Sequence, residues 1–288
     1  MFNINKIVLV LIPWVLPLFM ACNHDIKKHE DVAAHPKASM EDQATIPDTL
    51  IEVGEGKSVD GQLSAKVLAT DSLTDTYQEL FIQMEDSKGT AVNKARVRLL
   101  PEMKMGMMAH GAPVIQPGEQ AIHGFFKGGV VFIMPTSIES QHNWTINLLV
   151  DQEGVPSNRV NVPIHVKEAK EVRTIAFDGG DEGRFFLSLI APGKLPIGNQ
   201  FVRFMLHRVS KNEFPAVSEG YEIALNTHMP DMGHGSEGNE NAKAVGEGYY
   251  KGKVNLSMPG LWEVKADLLK DGKKVSTEPV IFKIQVKK

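Results

Sequence analysis

Val160, Val162, Ile164 and Val166 are apolar at every second position. So are Trp144, Ile146, Leu148 and Val150 in a second run, and Val280, Phe282, Ile284 and Val286 in a third. A period of two places such a set on one face of an extended strand, so each run calls for a sheet with one buried face. Helical periodicity is nowhere sustained. Gly, Pro, Asn and Asp punctuate the gaps, where turns form. The pattern predicts an all-β chain with about six or seven strands per domain, packed as two sheets.

An internal repeat sets the domain count. Gly124-Phe125-Phe126-Lys127-Gly128 matches Gly248-Tyr249-Tyr250-Lys251-Gly252, and each is followed by Met-Pro, at Met134-Pro135 and Met258-Pro259. Trp144 and Trp262 come next, then Asp151 to Gly154 against Lys270-Asp271-Gly272, then a terminal alternating strand in both. Upstream, Leu100-Pro101-Glu102-Met103 is set beside Met229-Pro230-Asp231-Met232. Self-similarity of this kind marks duplicated units. The expected architecture is therefore two tandem immunoglobulin-like β-sandwich domains, residues 51–169 and 170–288, with Trp144 and Trp262 in the inter-sheet cores.

The leader decides the compartment. Lys6 precedes an apolar run from Ile7 to Met20, followed by Ala21 and Cys22, in the order of a secretory signal over residues 1–22. The run is shorter than the roughly 20 residues a spanning helix needs, and Pro13 and Pro17 interrupt it. Leu18 to Cys22 resembles the lipobox of bacterial lipoproteins. That resemblance implies lipidation of Cys22 and a cell-envelope protein held on a membrane by lipid chains without spanning it. Residues 23–50 carry scattered charge and few large apolar side chains, so they read as a flexible tether, with His24, His29 and His35 as solvated linker residues.

Cys22 is the single cysteine. An internal disulfide, zinc fingers, iron–sulfur centres and Cys-containing copper sites are thereby excluded. A formal net charge of -4 without a basic patch argues against a nucleic-acid partner. No P-loop, nucleophile elbow, His-Glu-x-x-His helix or dinucleotide fingerprint occurs, so an enzyme is not expected.

Chemistry is concentrated in two loops rich in methionine and histidine. The second runs His228-Met229-Pro230-Asp231-Met232-Gly233-His234-Gly235, and Met258 returns to the same end of its sandwich. The first offers Met103, Met105, Met107, Met108 and His110, with Met134 in the position of Met258. Thioether sulfur is a soft ligand and imidazole a borderline one. Without thiolates the mixture favours copper, Cu(I) especially, over zinc, calcium or magnesium. Methionine also fills irregular core gaps, and core or rim packing is the competing reading for Met134 and Met258. His123, His142, His165 and His207 stand alone and read as structural or surface residues.

His228 to Gly235, Gly248-Tyr249-Tyr250-Lys251-Gly252 and Ser257-Met258-Pro259-Gly260-Leu261-Trp262 together resemble the YtkA-like domain, a relative of the FixH family of exported or membrane-attached proteins. The resemblance spans about Gly183 to Val286. It implies an immunoglobulin-like β-sandwich and a link to copper handling or respiratory-oxidase assembly, with a copper-transport or oxidase-assembly protein as partner. The first domain resembles the same pattern but departs from it, with Met105 where His234 stands and His110 placed late by a longer loop. An adhesion or scaffold protein, whose sandwich loops bind another protein, is the alternative.

Overall fold

The computed structural model describes residues 46–191, 195–210 and 213–287. The leader, Cys22 and nearly all of the tether lie outside these residues. Strands dominate, and among the described residues the one helical element is a single 3-10 turn at Gly180–Glu182.

The first sandwich contains β1 (Ile51–Lys57), β2 (Leu63–Ala69), β3 (Tyr77–Asp86), β4 (Arg96–Met105), β5 (Met108–His110), β6 (Val114–Ile115), β7 (Phe126–Val131), β8 (His142–Gln152) and β9 (Val155–Ile164). One sheet has the order β1-β2-β3-β7-β6 and the other β5-β4-β8-β9, with antiparallel pairing throughout. The alternating runs fall where the period of two requires. Trp144, Ile146, Leu148 and Val150 on β8 and Val160 and Val162 on β9 meet Val67, Leu80 and Ile82 from the opposing sheet in one apolar cluster. At the edge, β1 closes over β9 so tightly that a β-carbon on Gly56 would lie 2.2 Å from the carbonyl oxygen of Asn161. Only glycine permits that approach.

The second sandwich contains β10 (Thr174–Asp178), β11 (Arg184–Ile190), β12 (Gly198–Arg208), β13 (Glu222–Met229), β14 (His234–Gly235), β15 (Glu240–Gly246), β16 (Tyr249–Leu256), β17 (Gly260–Lys270), β18 (Lys273–Lys274) and β19 (Ile281–Val286). Its strands form a continuous hydrogen-bonded path, because β15 pairs with both β16 and β13 and so joins the two faces. Its core gathers Phe204, Leu225, Tyr250, Trp262, Val264, Phe282 and Ile284. The strands outnumber the six or seven expected per domain. The surplus includes β5, β6, β14 and β18, pieces of two or three residues too short to carry an alternating pattern.

The two cores are separate clusters, the first ending at Val166 and the second starting at Phe177. Aromatic contact joins the sandwiches. The hydroxyls of Tyr77 on β3 and Tyr249 on β16 lie 2.6 Å apart, and their rings meet edge to face. Burial pushes both phenols up, Tyr249 to about 12, so both stay protonated and the bond persists across the physiological range.

Candidate soft-metal sites

The hairpins that hold the methionines and histidines are set by their turns. In the second sandwich β13 ends at Met229 and the chain reverses over residues 230–233, where the amides of Met232 and Gly233 both donate to the carbonyl of Met229 at 3.1 and 2.9 Å. Gly233 takes the positive φ of 66° that this reversal needs. The return strand β14 then sets His234 directly opposite Met229. On the other side of β13, His228 faces Glu263 of β17, so the same register carries Met229 opposite Trp262.

Strand alternation divides the residues of this loop. Met229 points inward and is 5% exposed, whereas His228 points outward, with its Nδ1 3.6 Å from the carboxylate of Glu263. Met232 lies on the turn and is 58% exposed. His234 is exposed, yet its ring lies edge to face with Trp262 at 6.4 Å between centroids. Met258 is half-buried against the core, and its carbonyl accepts the indole N–H of Trp262 at 2.9 Å. Met229, His234 and Trp262 are thus brought together, Met258 adjoins them, and His228 is on the opposite face.

The first sandwich builds the same constellation through a different turn. Gly106 and Met107 form a two-residue reversal between β4 and β5, with the glycine first at a φ of 58°, the pattern that glycine-first hairpin turns require. Its register sets His110 opposite Met103, and Met103 lies opposite Trp144. Met103 is fully buried, the rings of His110 and Trp144 meet edge to face at 5.6 Å, and the Trp144 indole donates to the carbonyl of Met134 at 2.9 Å. Met134 itself is half-buried against the core. Met107 and Met108 are exposed.

Two expectations are corrected here. His110, not Met105, occupies the place of His234, because the first hairpin extends further beyond the shared position before it turns. Met103 likewise corresponds to Met229 and not to Met232, so the alignment of Leu100–Met103 with Met229–Met232 slides by three residues. The sequence concealed this because the first loop offers a methionine at almost every register.

The imidazoles share one further feature. His110 Nδ1 lies 2.8 Å from the carbonyl of Gly111, and His234 Nδ1 lies 3.0 Å from the carbonyl of Gly235. A carbonyl only accepts, so Nδ1 carries the proton in both, and in the neutral ring Nε2 is left with its lone pair. Nε2 of His110 is buried and has no hydrogen-bond partner. Metal-binding histidines are oriented in the same way, by a hydrogen bond from their other nitrogen. Among the described residues no three His, Cys, Asp or Glu side chains gather as ion ligands. The donors that do converge are a thioether and an imidazole beside an indole, a soft and uncharged set.

A charged cluster around Glu182 lies elsewhere in the second sandwich. Glu182 accepts from Lys270 and Tyr221 at 2.6 Å and from Arg208 at 3.0 Å, and these bonds, led by that of Lys270, hold its carboxyl below the usual range.

The fold and these constellations define a β-sandwich protein with a thioether–imidazole–indole set in each sandwich. Residues 189–267, from the end of β11 into β17, match the family model described as YtkA-like, so the matched stretch lies in the second sandwich and contains Met229, His234 and Trp262. No curated protein matches the chain. Two solved structures are similar in part. One is FdeC, an Escherichia coli adhesin, at 13% identity over 85% of this chain and 67% of that one, with a TM-score of 0.25. The other is red sea bream transglutaminase, at 11% identity over 79% and 31%, with a TM-score of 0.22. At such scores neither likeness carries fold or function to this chain.

Proposed function

We propose that this is a lipid-anchored protein of the bacterial cell envelope that binds Cu(I) at its Met–His–Trp constellations and takes part in copper handling or oxidase assembly. One observation carries the reading: the same three residue types recur in the two sandwiches with the same partners, including an imidazole whose Nδ1 is tied to the next carbonyl. Packing alone requires neither the histidine nor its fixed tautomer. In the second sandwich Met229 and His234 would hold the ion, with Met258 and the exposed Met232 within the same loop region. In the first, Met103 and His110 would do so. The bound ion is cargo, and the protein supplies soft uncharged donors that favour the monovalent state.

The anchor supports the same reading, since a tether of residues 23–50 would lift both sandwiches off the lipid surface toward a donor or acceptor protein. Among the described residues no helix is long and apolar enough to cross a membrane. The test is an anaerobic titration of the purified protein with Cu(I), Cu(II) and Zn(II) in competition with chelators. Retention of Cu(I) in preference to the divalent ions is expected. Failure to bind any of them would overturn the reading and leave the adhesion or scaffold alternative.

A further inference from the structure

One step along the strands from the shared constellation, the two sandwiches diverge. In the second, the chain has already turned, and the residue two before Trp262 on β17 is Gly260. In the first, β4 runs on to Met105, two residues beyond Met103 and therefore on the same face. Met105 lies directly opposite Met108 on β5 and directly opposite His142 on β8. A row Met108–Met105–His142 thus parallels the row His110–Met103–Trp144, one step nearer the end of the sheet. Directly opposed residues on adjacent strands hold their β-carbons about 4.5–5.5 Å apart, within reach of one another for side chains as long as methionine.

The outer row is graded in exposure. Met105 is half-buried against the core, His142 is half-buried, and Met108 is 67% exposed. Beyond it Met107 is fully exposed on the turn. Methionine at such positions gains little from burial, so core packing does not account for Met108. The backbone at His142 is fixed from both sides, by its pairing with Met105 and by reciprocal amide bonds with Ser137 at 2.8 and 3.0 Å. The imidazole therefore starts from a defined position over the end of the sheet.

We infer that Met108, Met105 and His142 form a second soft-ion site in the first sandwich, distinct from the Met103–His110 pair behind it, and that it takes a monovalent soft cation. Two thioethers and one neutral imidazole bring no negative charge to offset a divalent ion, and a three-coordinate sulfur–nitrogen set suits Cu(I) or Ag(I). With Met108 67% exposed where Met103 is fully buried, it is the more accessible of the two. The inference rests on the soft-metal reading of the chain but uses His142, which the histidine pattern of the sequence left as an isolated residue.

The experiment is an anaerobic Cu(I) titration of the full chain in detergent against a chromogenic Cu(I) chelator, with wild type, Met108→Leu, His142→Ala and His110→Ala compared and circular dichroism confirming the fold. Met108→Leu keeps the side-chain volume at an exposed position and stays informative if His142→Ala fails to fold. The expected result is loss of one Cu(I) equivalent, or at least tenfold weaker retention of it, in Met108→Leu and His142→Ala, with that equivalent kept in His110→Ala. If wild type binds Cu(I) and both outer-row variants match it, the outer site does not exist while the soft-metal reading survives. If wild type retains no Cu(I), both fall.

Discussion

Gly260 offers a direct probe of how Met229 is seated. Its φ is 135°, and a β-carbon built there lies 2.2 Å from Cε of Met229. Two costs therefore meet in Gly260→Ala. A side chain in that backbone region costs about 1–3 kcal/mol. Moving the end of Met229 aside, off its preferred rotamer, adds about 0.5–1.5 kcal/mol. Met229→Ala alone removes a buried side chain and should cost about 2–5 kcal/mol. When both changes are made, the overlap has no partner and only the backbone cost of alanine remains. The two substitutions should then couple, with Gly260→Ala less damaging by about 0.5–1.5 kcal/mol when Met229 is absent. Equilibrium urea unfolding of the four proteins, with slopes compared so that midpoints translate into free energies, measures this. Strict additivity would refute the contact, and with it the placement of the Met229 thioether against the Trp262 strand.

Other outcomes follow from the same account. Cys22→Ser should release the protein from the membrane fraction, and a variant that stays fully membrane-bound would contradict the lipid anchor. Residues 170–288 should unfold cooperatively as an isolated β-rich fragment, since their core is a separate cluster; a fragment without a cooperative transition would show that the two sandwiches fold only together. His207 is fully buried on β12, with no hydrogen bond of sound geometry to either ring nitrogen. Burial holds it down to about 4, opposed only in part by the nearby backbone of Val114. Its folded value is below its unfolded one, so the stability contributed by the neutral ring is complete above about pH 6.5 and is lost as pH falls toward about 4. Denaturation near pH 7 and near pH 5 should show a drop in wild type that His207→Leu reduces, and an equal drop in both would disprove the assignment.

The fold was legible because burial enforces it. Trp144, Ile146, Leu148 and Val150, and likewise Val280, Phe282, Ile284 and Val286, recur at every second position, and all eight are buried in the structure. The joining of the second sandwich's faces through β15 was not legible, because Ala242 is the one buried residue of Glu240–Gly246, the strand's pairing with β16 shifts register, and it carries no clean alternation. Part of the site was equally plain: Met229, His234, Met103 and His110 were singled out by type and density. Their pairing was not, because cross-strand partners depend on where the chain turns. The first hairpin turns at Gly106 and Met107, the second over residues 230–233, and this difference decides that His110 matches His234. His142 escaped notice for the same reason. It is remote in sequence from the methionines, and only the β4–β8 register brings it opposite Met105. The separation of His228 from Met229 could have been foreseen, since consecutive residues of a strand face opposite ways.

The most direct test of the central claim is the long-range proton–nitrogen NMR spectrum of the imidazoles during titration with Ag(I), a redox-stable stand-in for Cu(I). The account predicts that Nε2 of His110 and of His234 shifts as the ion binds, while Nδ1 of each remains the protonated nitrogen facing the carbonyl of Gly111 or Gly235. Spectra unchanged at saturating Ag(I), or a shift of Nδ1 in place of Nε2, would contradict it.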